Sequence, residues 1–202
     1  MKPILYTWGT PNGQKPIILL EELGIPYDLV RIDIGKGEQK RPEYLAINPN
    51  GRIPAMVDEE GLTVWESGAI LFRLASQHGR FLPVDPQARL DALAWLFWQV
   101  GGPGPTLGQA FHFRNREEKL PYAIERFTAE GIRLYTVLEA RLAEVPYLAG
   151  EYSIADMACW TWMRNGPKMG IDMAAFPHTQ RWIDAIALRP AVQRALAVTF
   201  GG

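Results

Sequence analysis

One cysteine, Cys159, is all the thiol in a chain of 202 residues. That scarcity excludes an internal disulfide, a dithiol redox centre of the protein's own, and any zinc cluster built on thiolates. It fits a reducing compartment. Histidine is nearly as rare, and His78, His112 and His178 show no ligand spacing, so no metal is expected. Neither sign of charge dominates: 21 Lys and Arg stand against 22 Asp and Glu, for a net charge of −1. A nucleic-acid partner, which needs a basic excess, is therefore not expected. No stretch nears the ~20 apolar residues that span a bilayer. The N-terminal apolar run is broken at Gly9 and Pro11, too early for a secretory signal. A cytoplasmic protein with no membrane partner is the expectation. What the chain does have is an ordinary globular composition, 48% hydrophobic and 21% charged.

The first eighty or so residues alternate between short strands and helices. A β-favouring run at 4–7 ends in the turn-rich Gly9-Thr10-Pro11-Asn12-Gly13. Residues 14–23, with Ile17, Ile18, Leu19, Leu20 and Leu23, suit a buried helix closed by Gly24. Residues 27–34 alternate as a second strand, and a short helix is expected over 42–47. Runs at 53–57 and 62–64 bracket the turn Asp58-Glu59-Glu60-Gly61 as a hairpin, and 66–77 reads as a helix. The order β-α-β-α-β-β-α implies a mixed sheet with helices on its faces. After Pro83 the strands vanish. Pro83-Val84-Asp85-Pro86 has linker chemistry, and helices are expected at 87–101, 121–143, 153–163, 176–188 and 190–198. Gly101-Gly102-Pro103-Gly104-Pro105 should kink or stop the chain. The division predicted is an α/β domain over 1–82, a linker over 83–88 and an all-helical domain over 89–202.

Two local motifs carry chemistry. In Asn50-Gly51-Arg52-Ile53-Pro54-Ala55, a proline opening a strand just after a loop is compatible with a cis peptide bond. A cis Ile53–Pro54 bond would turn the Ile53 N–H and C=O away from the sheet, where an extended peptide can add as a strand. An ordinary strand-start proline is the other reading. In Trp65-Glu66-Ser67-Gly68, Ser67 falls where a helix begins, so it is either an N-cap worth ~1 kcal/mol or part of a carboxylate site built on free helix amides. Glu66 beside it would accept from an ammonium. Together the pair describes recognition of an α-amino-acid head group.

These features resemble the glutathione transferase family, whose fold is a thioredoxin-like α/β N-terminal domain followed by an all-α C-terminal domain. Ser153-Ile154-Ala155-Asp156 matches that family's internal capping box, in which serine and acid exchange hydrogen bonds at a buried helix end. Four further segments resemble the bacterial nu class: Thr10-Pro11-Asn12-Gly13, the Gly35-Lys36-Gly37-Glu38-Gln39 run, the run from Trp95 to Gly102, and the Pro121-Tyr122-Ala123-Ile124-Glu125-Arg126 run. The resemblance covers nearly the whole chain. It implies a glutathione-dependent disulfide-bond oxidoreductase, with glutathione as co-substrate, a small disulfide or electrophile as its partner, and a homodimer. It also implies that Gln39 reaches the glycyl end of glutathione. Arg133 would pair with a carboxylate, such as that of a glutathione bound by the partner subunit, although a helix-surface arginine is usually just solvated.

Thr10-Pro11-Asn12-Gly13 stands where glutaredoxins carry Cys-Pro-x-Cys, with both cysteines replaced. A threonine hydroxyl is too weak an acid to be the nucleophile. Thr10 and Asn12 can instead donate hydrogen bonds to a bound thiolate, helped by the positive end of the first helix. Lowering a thiol two units below its usual ~8.5 takes ~2.7 kcal/mol, within reach of one or two donors and a helix dipole. Tyr6 is a second candidate for the thiolate contact, against a plain packing role. Trp98 and Phe111 are candidates for an apolar co-substrate pocket as well as for core packing. Cys159, beside Trp160, is expected to be an inert buried thiol. Conjugation of glutathione to an electrophile, and a non-catalytic binding or regulatory role on the same fold, are the alternative functions.

Overall fold

The computed structural model describes residues 1–200; the expected helical domain's last two residues, Gly201 and Gly202, lie outside them. The chain divides into two compact units, one formed by Met1–Leu82 together with the segment from Leu188, the other by Pro83–Ala187.

The first unit is built on a four-stranded sheet. Strands β1 (Ile4–Thr7), β2 (Asp28–Arg31), β3 (Ala55–Val57) and β4 (Thr63–Trp65) lie in the order β2-β1-β3-β4. β2 runs parallel to β1, whereas β3 and β4 are antiparallel additions. The parallel pair needs a crossover, supplied by α1 (Pro11–Leu23), and the antiparallel pair needs only the predicted hairpin. Between them come a single 3-10 turn at Glu38–Lys40 and the short α2 (Pro42–Leu45); α3 (Ser67–His78) follows β4. This is the thioredoxin-like arrangement expected from the sequence.

Alternation along β1 and β3 sorts the core. Leu5 pairs with Met56, and both are fully buried with Ile17, Ile18, Leu19 and Leu20 of α1 and Ile70, Leu71 and Leu74 of α3. Tyr6 pairs with Ala55 and joins a separate cluster with Ile32, Tyr44, Ile47 and Ile53. Each fully buried Leu or Ile contributes about 1.5–3 kcal/mol. The hairpin turn is tied by Asp58, whose carboxylate accepts from the Glu60 and Leu62 N–H groups and from Arg73 Nε at 2.8–2.9 Å. Burial alone would raise its pKa, but those donors outweigh it and hold the carboxyl below the usual carboxylate range. Helix α9 (Pro190–Ala197) returns to pack on α1, where Arg189 grips Glu22 through two bonds of 2.5 and 3.0 Å and Arg194 reaches Glu21 at 2.7 Å.

The second unit is helical: α4 (Pro86–Gly101), α5 (Pro103–Asn115), α6 (Pro121–Glu144), α7 (Ile154–Met163) and α8 (Pro177–Ala187). α5 was not anticipated. Gly104, Gly108 and the polar Thr106 and Gln109 interrupt its apolar spacing, so the chain does not stay irregular after the Gly/Pro break but restarts a helix at Pro103, a favourable first position. α7 is buried along nearly its whole length. It can begin inside the core because Ser153 and Asp156 form the expected capping box. The Asp156 carboxylate also accepts from Leu148 N at 3.0 Å and from Trp182 Nε1 at 2.9 Å. No helix among the described residues is long and apolar enough to cross a membrane.

Candidate functional site

The register of the sheet gathers the sequence motifs at one of its ends. Tyr6 is opposite Ala55, and Ala55 is opposite Trp65. β1 therefore runs out toward Thr10 at the edge where Ile53–Pro54 leads into β3 and where β4 runs out to Glu66 and Ser67. Three segments far apart in sequence share one rim of the first unit.

At the first of these, Thr10 is the N-cap of α1 in extended conformation, and its hydroxyl oxygen accepts from Gly13 N at 3.1 Å. The Thr10 N–H is spent on Trp8 O at 2.7 Å. A hydroxyl that accepts from its own helix keeps its hydrogen for another acceptor. Pro11 takes the first helical position and Asn12 the next, half-buried. Gly13 cannot be another residue: a Cβ there would lie 2.0 Å from Trp8 O and 2.6 Å from Thr7 Oγ1. Thr7 Oγ1 in turn donates to Gly13 O at 3.1 Å, which clamps the helix start onto the strand end.

At the second segment the Ile53–Pro54 bond is cis. The preceding residue is pinned, because the Arg52 carbonyl accepts from Tyr44 Oη and Asn48 Nδ2, each at 2.6 Å. Asn48 also takes Asn50 N at 3.0 Å. Burial pushes the Tyr44 phenol up to about 12, so it remains a donor at neutral pH. Among the described residues no hydrogen bond engages the main chain of Ile53 itself, while its side chain is fixed in the Tyr6–Tyr44 cluster. Tyr44 and Asn48 were not singled out from sequence; the Asn48-Pro49-Asn50-Gly51 turn was the available signal. Gly51, at φ 60°, sits against the Gln39 carbonyl, which brings the 3-10 turn beside this loop. The Gln39 Oε1 atom is buried with no partner among the described residues.

At the third, Glu66 is held at φ 74°, ψ 122°, a conformation costly for a residue with a Cβ. Its carboxylate lies 3.5 Å from Asn50 Nδ2, which ties it to the second segment. Glu66, and not Ser67, occupies the N-cap position, and it makes no side-chain cap bond. Ser67 is the first helical residue. Its hydroxyl oxygen accepts from Lys15 Nζ at 3.2 Å. The amides of the first turn, which have no partner inside the helix, point the same way as in any helix N-terminus and favour an anion.

The remaining candidates are less distinctive. The Tyr6 ring packs 6.3 Å from that of Tyr44. In the second unit Trp98 is half-buried and edge-on to Trp95 at 4.9 Å, and Phe111 is 45% exposed. Arg133 forks onto Glu130, one turn back on α6, at 2.7 and 2.9 Å; that bond holds the Glu130 carboxyl below its ordinary pKa. Cys159 is fully buried in α7. Among the described residues no group of His, Cys, Asp or Glu is placed to hold a metal.

The rim thus offers a hydroxyl donor at a helix N-terminus, an Ile53 main chain that no hydrogen bond engages among the described residues, and a carboxylate beside a helix start. Comparison with known proteins identifies the family. Residues 1–76 match the N-terminal domain of glutathione S-transferase and residues 107–190 its C-terminal domain. Disulfide-bond oxidoreductase YfcG of Escherichia coli K12 is 48% identical over 200 residues, covering 95% of this chain and 93% of the relative. A glutathione transferase from Burkholderia graminis, solved with two glutathione molecules per subunit, has 37% identity and a TM-score of 0.93, over 100% of this chain and 90% of that one. A glutathione transferase from Pseudomonas putida, solved with one glutathione disulfide per subunit, has 36% identity and a TM-score of 0.91, over 98% and 91%. This chain belongs to the glutathione S-transferase family and is related within it to the disulfide-bond oxidoreductases.

Proposed function

We propose that this protein binds glutathione along the rim of the first unit and catalyses glutathione-dependent reduction of small disulfides. The observation that carries the proposal is the pairing of a hydroxyl-capped helix start at Thr10 with a lone cysteine sealed inside α7. On a glutathione transferase fold, that arrangement favours a sulfur the chain binds over one it owns. Glutathione, when bound, supplies a thiolate that exchanges with the disulfide, and a second glutathione completes the reaction to glutathione disulfide.

The chain's own groups then have distinct tasks. The Ile53 main chain takes the extended backbone of the tripeptide, with the cis bond to Pro54 setting the direction of that segment. Ser67 and the first-turn amides of α3 take the γ-glutamyl carboxylate, and Glu66 takes its ammonium. Gln39 reads the glycyl end. Thr10 and Asn12 donate toward the sulfur and hold it deprotonated. Trp98 and Phe111 remain proposed contacts of the co-substrate. Arg133 would have to exchange Glu130 for a ligand carboxylate, and Tyr6, packed against Tyr44, is assigned to the core. Homodimerisation belongs to the same proposal by family resemblance, and sedimentation equilibrium tests it.

The decisive test compares wild type, Thr10→Ala and Thr10→Ser with 2-hydroxyethyl disulfide and with a chlorodinitrobenzene, alongside calorimetric titration of glutathione. Thr10→Ala should keep glutathione binding yet lose up to about 25-fold in disulfide turnover at pH 7, the fall in thiolate fraction if the sulfur returns from ~6.5 to ~8.5. Thr10→Ser, which keeps the hydroxyl, should stay within a few-fold. Equal turnover in Thr10→Ala removes Thr10 from the chemistry. Turnover of the aryl chloride alone makes the protein a conjugating transferase, and the absence of glutathione binding leaves only the fold.

A further inference from the structure

Lys15 is the one charged side chain of α1 drawn fully inward. It is 1% exposed and lies among the buried run that continues through Leu20. Lysine is almost never buried to this degree, because removing an ammonium from water is costly. Its Nζ donates to Ser67 Oγ at 3.2 Å across 52 residues of sequence.

The chemistry of that contact is directional. An ammonium has three donors and no acceptor, and a hydroxyl has one donor and two lone pairs. In the Lys15–Ser67 bond the serine oxygen must accept, so its single hydrogen is turned out of the contact. We propose that Lys15 is a positioning residue for ligand recognition: it fixes the Ser67 hydroxyl as a donor to the carboxylate at the start of α3. This rests on the assignment above of Ser67 to the γ-glutamyl carboxylate. It explains why a lysine is kept in an otherwise apolar stretch. It also explains why Ser67, displaced from the N-cap position by Glu66, makes no helix cap.

The test is a double-mutant cycle on the full chain, read as the Kd for glutathione by calorimetry, with melting temperatures recorded for every variant. Lys15→Met and Ser67→Ala should each weaken binding about tenfold, the usual effect of losing a hydrogen bond to a charged group. If Lys15 acts through Ser67, the double variant should also be only about tenfold weaker. Lys15→Arg, which keeps the donor, should remain within about threefold of wild type at an unchanged melting temperature, and it decides the matter if Lys15→Met does not fold. Against 4-aminobutyryl-Cys-Gly, which lacks the γ-glutamyl carboxylate, Lys15→Met and wild type should bind alike. An independent, roughly 100-fold loss in the double variant overturns the proposal. So does Lys15→Arg binding ten times more weakly while folded, or equal weakening by Lys15→Met toward both peptides. If wild type does not bind glutathione, the assignment of the rim has failed first, and the cycle is not what reveals it.

Discussion

Asp156 offers a prediction in which the sign is not obvious. Its carboxylate is fully buried and accepts four hydrogen bonds, from Leu148 N, Ser153 N, Ser153 Oγ and Trp182 Nε1. Burial nonetheless dominates those donors and pushes the carboxyl up to about 6. Unfolded, the group titrates near ~3.9. A folded-state pKa raised by about two units means that stability from this group is complete below ~pH 4 and falls by about 3 kcal/mol as pH climbs through 6. Replacement by Ala strands the Leu148 and Ser153 amides and the Trp182 indole N–H, at about 1–3 kcal/mol each. Against a total stability of about 5–15 kcal/mol, that variant should be largely unfolded or melt far below wild type. Asp156→Asn is more informative, because it keeps an oxygen for two of the donors and cannot ionise. In urea denaturation wild type should exceed Asp156→Asn at pH 5, and the gap should shrink by roughly 1–2 kcal/mol by pH 7.5. Other titrating groups cancel in that difference. A gap that stays constant or widens with pH would refute the reasoning, since it would mean that the fold prefers the charged form.

Two further outcomes follow from the rim. Glu66→Gly should be about 1–2 kcal/mol more stable than Glu66→Ala by urea denaturation, because only glycine is at ease at φ 74°; both should bind glutathione more weakly. Gly13→Ala should destabilise the first unit by about 3 kcal/mol, since its Cβ meets main-chain oxygen at 2.0 Å and the helix start must shift. Glutathione affinity should fall with it as Thr10 moves.

Much of the fold was legible because local chemistry and tertiary structure agree. The hairpin around Asp58, the helix stop at Gly24 and the Ser153–Asp156 box are written in short-range residue preferences, and each appears where expected. The cis bond at Ile53–Pro54 was open to either reading from the strand-start proline and is settled by the structure. α5 escaped notice because helix Pro103–Asn115 has no sustained apolar stripe and opens in a segment that reads as a breaker. The same limit hid Lys15. A lysine at helical spacing reads as solvated, and its bond to Ser67 comes from a distant element that no local pattern encodes. Tyr44 and Asn48 act on a carbonyl several residues away, a relation that no periodicity encodes. Nor does any local sign reveal that α9 packs on α1.

That last contact bears on the order in which the molecule can be made. Because Arg189 and Arg194 clasp Glu21 and Glu22, the sheet unit is assembled from residues 1–82 and the segment from Leu188, with every helix of the other unit encoded in the sequence between those two stretches. On the ribosome the early portion must wait, its α1 flank uncovered, until about a hundred intervening residues have emerged. Maturation of the two units is therefore interleaved in time, and damage to the helical insert should delay closure of the part that holds the candidate rim.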